Sequence, residues 1–375
     1  MSVAIRIVQG KKDLNTFIHL PARIHADHPN WMPPLYMDED AYFDPKKNKA
    51  FSYCDTVLFL AYRDNKPSGR IMGIIHHPYN TEHGEKTVRF AHLECYDDAQ
   101  VCHALLDAVE QWGLEKGMNH SIGPFGFSDR EPQGLLVEGF DKEPIIATMC
   151  NYPYLPKFVE QKGYGKLTDC MDYLIDINKD IPAVYHKIFE RVQRNTQFRL
   201  LEFRKSREMK HYIVPVFELI NRAYAHLHGF SPLDKQEMDE LAARYLPILD
   251  PRFLKIVLDE QGQVIAFMLG MPNMTKGIQR AKGKLFPFGF IFVLHAAKTA
   301  KQLDLLLGAI DEPYRGRGLD ILMGMSMIES ARKAGIETFE TNVVLEENTA
   351  MRAEYERVGA KLHKVFRIYQ KDLNA

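Results

Sequence analysis

The stretch that most restricts this chain runs from Leu303 to Asp320. There the apolar run Leu303-Asp304-Leu305-Leu306-Leu307-Gly308-Ala309-Ile310 empties into Tyr314-Arg315-Gly316-Arg317-Gly318 and then into a helix-patterned segment. That helix would bury Leu319, Leu322, Met323, Met327 and Ala331 along one stripe. A strand, a Gly-rich turn and a helix start, in that order, make an anion site. The first backbone N–H groups of a helix have no ladder partner, the dipole is positive there, and glycines let a ligand approach the backbone. Arg315 and Arg317 add charge. An ordinary turn whose arginines face water is the other reading of the same residues.

At 375 residues the chain exceeds the roughly 100–200 residues of one ordinary domain, and one order of elements occurs in it twice. The first copy reads as strand Ala4 to Val8, helix Lys12 to Ala26 and a hairpin of Thr56 to Tyr62 with Gly69 to His76. Strand Thr87 to Cys95, helix Ala99 to Lys116 and a strand near His120 to Ile122 follow. The second reads as strand Phe198 to Phe203, helix Met209 to His226, and hairpin Phe253 to Leu258 with Val264 to Gly270. Strand Leu303 to Ile310, helix Gly318 to Ala334 and strand Thr338 to Val344 complete it. The polar stretch 178–197 reads as a connector, which divides the chain into units 1–177 and 198–375. The expected fold class is α+β, a mixed sheet flanked by helices and built twice.

Composition narrows the partners. A net charge of -1 gives no overall attraction to nucleic acid. Five scattered cysteines show neither a CxxC pair nor a Cys/His ligand cluster, so reduced thiols and no metal are expected. No secretory signal is legible at the N-terminus, from which a cytoplasmic location is expected. The apolar run Leu285 to Ala297 is well short of the roughly 20 residues a spanning helix needs, and no transmembrane segment is expected.

Tyr314-Arg315-Gly316-Arg317-Gly318-Leu319 resembles the pyrophosphate-binding motif (Arg/Gln)-x-x-Gly-x-(Gly/Ala) of the GNAT acyltransferase superfamily. Downstream, Glu347-Asn348-Thr349-Ala350-Met351-Arg352-Ala353-Glu354-Tyr355-Glu356-Arg357-Val358-Gly359 resembles that superfamily's Asn-containing helix start, with its later tyrosine and closing glycine. The resemblance implies two tandem GNAT-like acyl-CoA N-acyltransferase domains. The first is degenerate, because Cys95-Tyr96-Asp97-Asp98-Ala99 has no phosphate loop, and it would stand on the acceptor side. The second would hold acetyl-CoA or a longer acyl-CoA through Ile310, Arg315, Gly316, Arg317, Gly318 and Asn348. The implied activity moves an acyl group from acyl-CoA to the primary amine of a small-molecule or lipid acceptor. One departure counts against it: Asp320 stands where the motif has Gly or Ala. A catalytically degenerate GNAT pair that binds a ligand or acts as a scaffold therefore stays open.

Acyl transfer to an amine needs a base for the amine proton and an acid for the leaving thiolate. Tyr355 matches the thiolate-protonating tyrosine of the superfamily, or packs in the core with Met351 and Val358. Asn348 contacts CoA or merely caps its helix. Glu340, on the polar face of its strand with Thr338 and Asn342, is the candidate base, with Asp304 as a rival. Tyr224 and His228, at the end of the second copy's first helix, border the acceptor in the resemblance. The Gly123 to Pro153 segment, with Tyr152 and Tyr154 at its end, is expected to face the other unit's site. The Phe-rich insertion Lys284 to Leu294 lines a lipid path, touches a membrane surface or packs between domains.

Overall fold

A computed structural model describes residues 3–225, 232–246 and 248–374. Strand β1 (Val3–Ile7) leads into helices α1 (Gly10–His19), α2 (Pro21–Ile24) and α3 (Tyr36–Tyr42). Pro21 breaks what the periodicity presents as one helix, because its ring starts a new first turn. The hairpin β2 (Cys54–Arg63) and β3 (Lys66–His76) is followed by α4 (His77–His83), β4 (Thr87–Cys95), α5 (Ala99–Glu115) and β5 (His120–Gly123). The half closes with β6 (Leu135–Glu138), α6 (Tyr154–Gln161) and β7 (Gly165–Asp176).

The second half opens with α7 (Ala183–Gln193), β8 (Arg199–Glu202), α8 (Ser206–Met209), α9 (Ile213–Tyr224) and α10 (Lys235–Tyr245). A second hairpin, β9 (Leu254–Leu258) and β10 (Val264–Pro272), precedes the helical pair α11 (Thr275–Ala281) and α12 (Gly289–Thr299). Then come β11 (Gln302–Ile310), α13 (Leu319–Lys333), β12 (Thr338–Thr341), β13 (Val344–Leu345), α14 (Thr349–Arg357) and β14 (Lys361–Asp372).

The plan is made twice, but the two sheets are fused. The strand order is β1-β2-β3-β4-β5-β14-β7-β12-β11-β10-β9-β8, with β6 beside β14 and β13 beside β7. Each half therefore receives the other's last long strand. β14 pairs with β5 of the first half, and β7 pairs with β12 of the second. A cut at residue 177 separates the sequence copies but not the sheet.

A buried charge cluster pins this exchange. Lys364 of β14 stands opposite Asp172 of β7 in the register, with Nζ 3.2 Å from Asp172 Oδ2. It also bonds the Glu340 carboxylate of β12, and it donates at 2.8 Å to the Glu143 carbonyl. All three side chains are at most 2% exposed. One ammonium cannot balance two carboxylates at this depth. Asp172 is accordingly held far above the usual carboxylate range, first by burial and then by Glu340.

The stretch expected as a connector forms α7, which packs on the start of α13. A Cβ at Gly318 would lie 3.0 Å from both Ile188 Cγ2 and Val192 Cγ2. Leu319, Leu322, Met323, Met327 and Ala331 of α13 are all buried, the stripe that the i, i+3, i+4 pattern predicts.

Candidate active site

β11 and β12 run parallel from Gln302↔Thr338 to Leu305↔Thr341 and then part. Asn342 extends the contact by one step, its amide donating to Leu305 O at 2.8 Å and its Nδ2 to Leu306 O at 3.0 Å. Beyond that point β12 turns away, and β11 continues to Ile310 with Leu307 and Gly308 exposed. This splay leaves a strip of apolar strand on which the Leu306, Gly308 and Ile310 carbonyls accept from the side chains of Asn342, Tyr224 and Arg315.

The glycine-rich loop stands at the far end of the strip. Gly316 and Gly318 hold φ of 72° and 82°, a left-handed conformation that a Cβ would strain. The first ladder bond of α13 runs from Leu322 N–H to Gly318 O. The amides of Gly316, Arg317, Gly318 and Leu319 thus precede the ladder at the positive end of the helix. Arg315 folds back, its Nε donating to Ile310 O at 3.3 Å, while Arg317 lies over the Tyr314 ring. Between this loop and α7 opens a cavity of about 440 Å³ lined by Arg191, Val192, Arg194, Asn195, Gln197, Phe198 and Arg317.

Asp320 sits in the first turn of α13. Burial raises its pKa, opposed by the nearby Ile321 amide and its own. The amides of Gly316 to Leu319 lie upstream of it.

Near the middle of the strip three tyrosines converge. Tyr224 donates to Gly308 O at 2.8 Å. Tyr355 packs against Tyr173 with ring centroids 5.5 Å apart and the planes tilted by 43°, and Arg352 Nε donates to the Tyr173 hydroxyl at 3.2 Å. Burial pushes Tyr355 up to about 12, with Tyr224, Asp172 and Tyr173 adding to it. Tyr224 is likewise pushed up to about 12, by burial first and also by Asp129. Both hydroxyls keep their protons at neutral pH.

Asp129 belongs to the long Gly123 to Pro153 segment of the first half. Its Oδ1 is buried without a hydrogen-bond partner among the described residues, and burial raises its pKa. The same segment reaches the second half again further along. There Glu143 pairs with Lys276, and the Pro144 carbonyl accepts from Thr275 Oγ1 at 2.8 Å.

Other expected residues lie elsewhere. Glu340 does not face a cleft. It is 1% exposed and committed to Lys364 and to Gln302 Nε2 at 2.7 Å, because the exchanged strand covers the face that alternation leaves polar. Asp304 is equally enclosed, held by Gln302 and Asn273, and burial pushes it up to about 7. Asn348 caps α14 by accepting from Met351 N at 3.2 Å. Tyr152 and Tyr154 pack inside the first half. Tyr152 stacks on His25 at 5.1 Å, and Tyr154 donates to Cys95 O at 2.8 Å. His228 lies outside the described residues. Among the described residues there is no His/Cys/Asp/Glu group that could hold a metal ion, and no helix long and apolar enough to cross a membrane.

A splayed parallel pair, a Gly-rich helix mouth at its end and a tyrosine-bearing helix across from it are the layout of the GNAT fold, here built twice. The fold matches a tandem GNAT protein from the clavulanic acid biosynthesis pathway over 99% of both chains, with a TM-score of 0.57 at 13% identity. A GCN5-related N-acetyltransferase from Sphaerobacter thermophilus matches over 99% of this chain and 96% of its own, with a TM-score of 0.53 at 12% identity. No family model matches the sequence. In sequence, the bacterial ceramide synthase of Caulobacter vibrioides is 32% identical over 98% of this chain and 96% of its own length. Protein YghO of Escherichia coli is 27% identical over 98% and 95%. The chain belongs to the family of that bacterial ceramide synthase.

Proposed function

We propose that the chain transfers an acyl group from an acyl-CoA to the primary amine of a long-chain amino-lipid. The observation that carries this is the exposed edge of β11 at Leu307 and Gly308, which links the glycine-rich loop to the Tyr224–Tyr355 cluster in one line. The lipid acceptor is supported by the relative's name, since a ceramide is the N-acyl derivative of a long-chain amino alcohol.

An acyl-CoA would supply an activated thioester carbonyl. Amides from Gly316 to Leu319, with Arg315 and Arg317, hold the diphosphate, and the β11 edge aligns the arm. Asp129 accepts the proton that the attacking amine must lose as the C–N bond forms. Tyr355 gives its hydroxyl proton to the sulfur as the C–S bond breaks. A tyrosine held protonated and a carboxylate of raised pKa suit those two tasks.

The reading is tested by offering labelled acetyl-, octanoyl- and palmitoyl-CoA with a long-chain amino alcohol and with short amines. N-acylated long-chain product that requires Asp129 supports it, and transfer to short amines alone would overturn the lipid acceptor. One observation favours a different reading: an acidic side chain, Asp320, in the first turn of α13 suits a protein that kept the fold and lost the cofactor. Asp320→Gly separates the two. A gain of a few-fold in donor affinity over a working wild type fits the enzyme, whereas activity appearing only in the variant fits the degenerate protein.

A further inference from the structure

The insertion between β10 and β11 forms a tight helical pair with its apolar side turned outward. α11 and α12 meet at Gly277, where a Cβ would lie 2.6 Å from Phe292 O and 2.7 Å from Val293 Cα, so the two backbones are in close contact. The packed side of α12 is Gly289, Phe292, Val293 and Ala296. The other side and the turn before it face solvent: Phe286 is 70% exposed, Phe288 69%, Phe290 41%, Ile291 50% and Leu294 62%. Among the described residues nothing covers these groups, and an apolar patch of this kind marks an interaction surface.

Charge names that partner. From Gln261 to Leu303 the sequence holds six Lys and Arg residues and no Asp or Glu, in a chain of net charge -1. Lys276 and Lys301 are paired with Glu143 and Glu337. Arg280 lies over the Phe292 ring at 4.4 Å, and Lys282, Lys284 and Lys298 are exposed around the apolar tip. Aromatic and aliphatic groups at the tip of a helical pair, ringed by cations, match the boundary between acyl chains and anionic headgroups.

The pair is also tied to the other half. Tyr36 N–H donates to Gly283 O at 3.1 Å, and Gln279 Nε2 donates to Trp31 O at 3.1 Å. Beside that junction Met37 is 53% exposed. An acid is near as well: Asp40 and Lys284 act on His19 with opposite sign. The exposed Lys282, Lys284 and Lys298 belong to the α11–α12 insertion itself.

We infer that the α11–α12 pair is an interfacial anchor that docks the protein on an anionic bilayer, inserting Phe286, Phe288 and Leu294 below the headgroups. The inference rests on this surface and not on the acyl-transfer reading. Its test is sedimentation of the full chain with phosphatidylcholine vesicles with and without phosphatidylglycerol. Binding is expected only with phosphatidylglycerol, weakened by salt. It should fall about tenfold or more in Phe286→Ser/Phe288→Ser and by a similar factor in Lys282→Glu/Lys284→Glu. All four positions are exposed, and unchanged circular dichroism confirms the fold. No vesicle binding, or equal binding to both vesicle types, overturns the inference. So does a dimer in sedimentation velocity that the Phe286→Ser/Phe288→Ser variant abolishes, because a second copy would then be the occupant.

Discussion

The two parallel pairs in the sheet start alike and end differently. β4 and β5 pair from Thr87↔His120 to Arg89↔Ile122, and β11 and β12 pair over a similar length, before each splays. In the first half the chain fills its own gap. Phe125 N–H donates to Phe90 O at 2.9 Å, and the Phe125 ring is 2% exposed. The Arg89 guanidinium donates to Gly126 O and Phe127 O at 3.1 Å and lies over the Phe125 ring. A Cβ at Gly123 would stand 2.3 Å from Phe90 O, so only glycine admits this plug. At the neighbouring helix mouth, Asp98 caps α5 and pairs with Arg63. In the second half β11 stays exposed at Leu307 and Gly308, and the cap is Gly318. One plan thus yields one half whose splay is filled by its own chain and one whose strand edge stays exposed.

The largest expected effect breaks the junction of the halves. Lys364→Met leaves Asp172 and Glu340 buried without their cation and should cost about 3–5 kcal/mol in urea unfolding. Next, Phe125→Ala should cost about 3–5 kcal/mol by opening a cavity in the filled splay. Leu307→Ala, on the exposed strand edge, should cost under about 1 kcal/mol and register instead in donor KM. In the acyl-transfer assay, Tyr355→Phe should lower kcat about a hundredfold with donor affinity kept. The smallest effect is in pH. Asp129 must be ionised to accept a proton and burial raises its pKa, so activity should fall as pH drops through a value above the ordinary carboxylate pKa of about 4. That acid limb should vanish from the residual activity of Asp129→Asn.

Local patterns were legible in the sequence, and cross-chain geometry was not. The strand-loop-helix of Leu303 to Lys333, the two hairpins and the Tyr355 helix follow from periodicity and turn chemistry, which act over a few residues. The strand exchange could not be read, because β7 and β14 look alike as alternating strands and their partners are set by long-range register. Glu340 was misplaced for that reason: alternation marks its face as polar, and only the exchanged β14 shows that Lys364 fills it. Asp129 carried no signal of its own. The expectation that its long segment faces the other half was the available clue, since a segment of that length needs a surface to order against.

The proposed donor site is the second splay with its glycine-rich loop. Calorimetric titration of CoA into the wild-type chain tests it most directly. One site per chain with Kd on the order of micromolar is expected, lost in Arg315→Glu and kept in Asp98→Asn at the helix mouth of the first half. Absence of binding, or binding that survives Arg315→Glu unchanged, would contradict it.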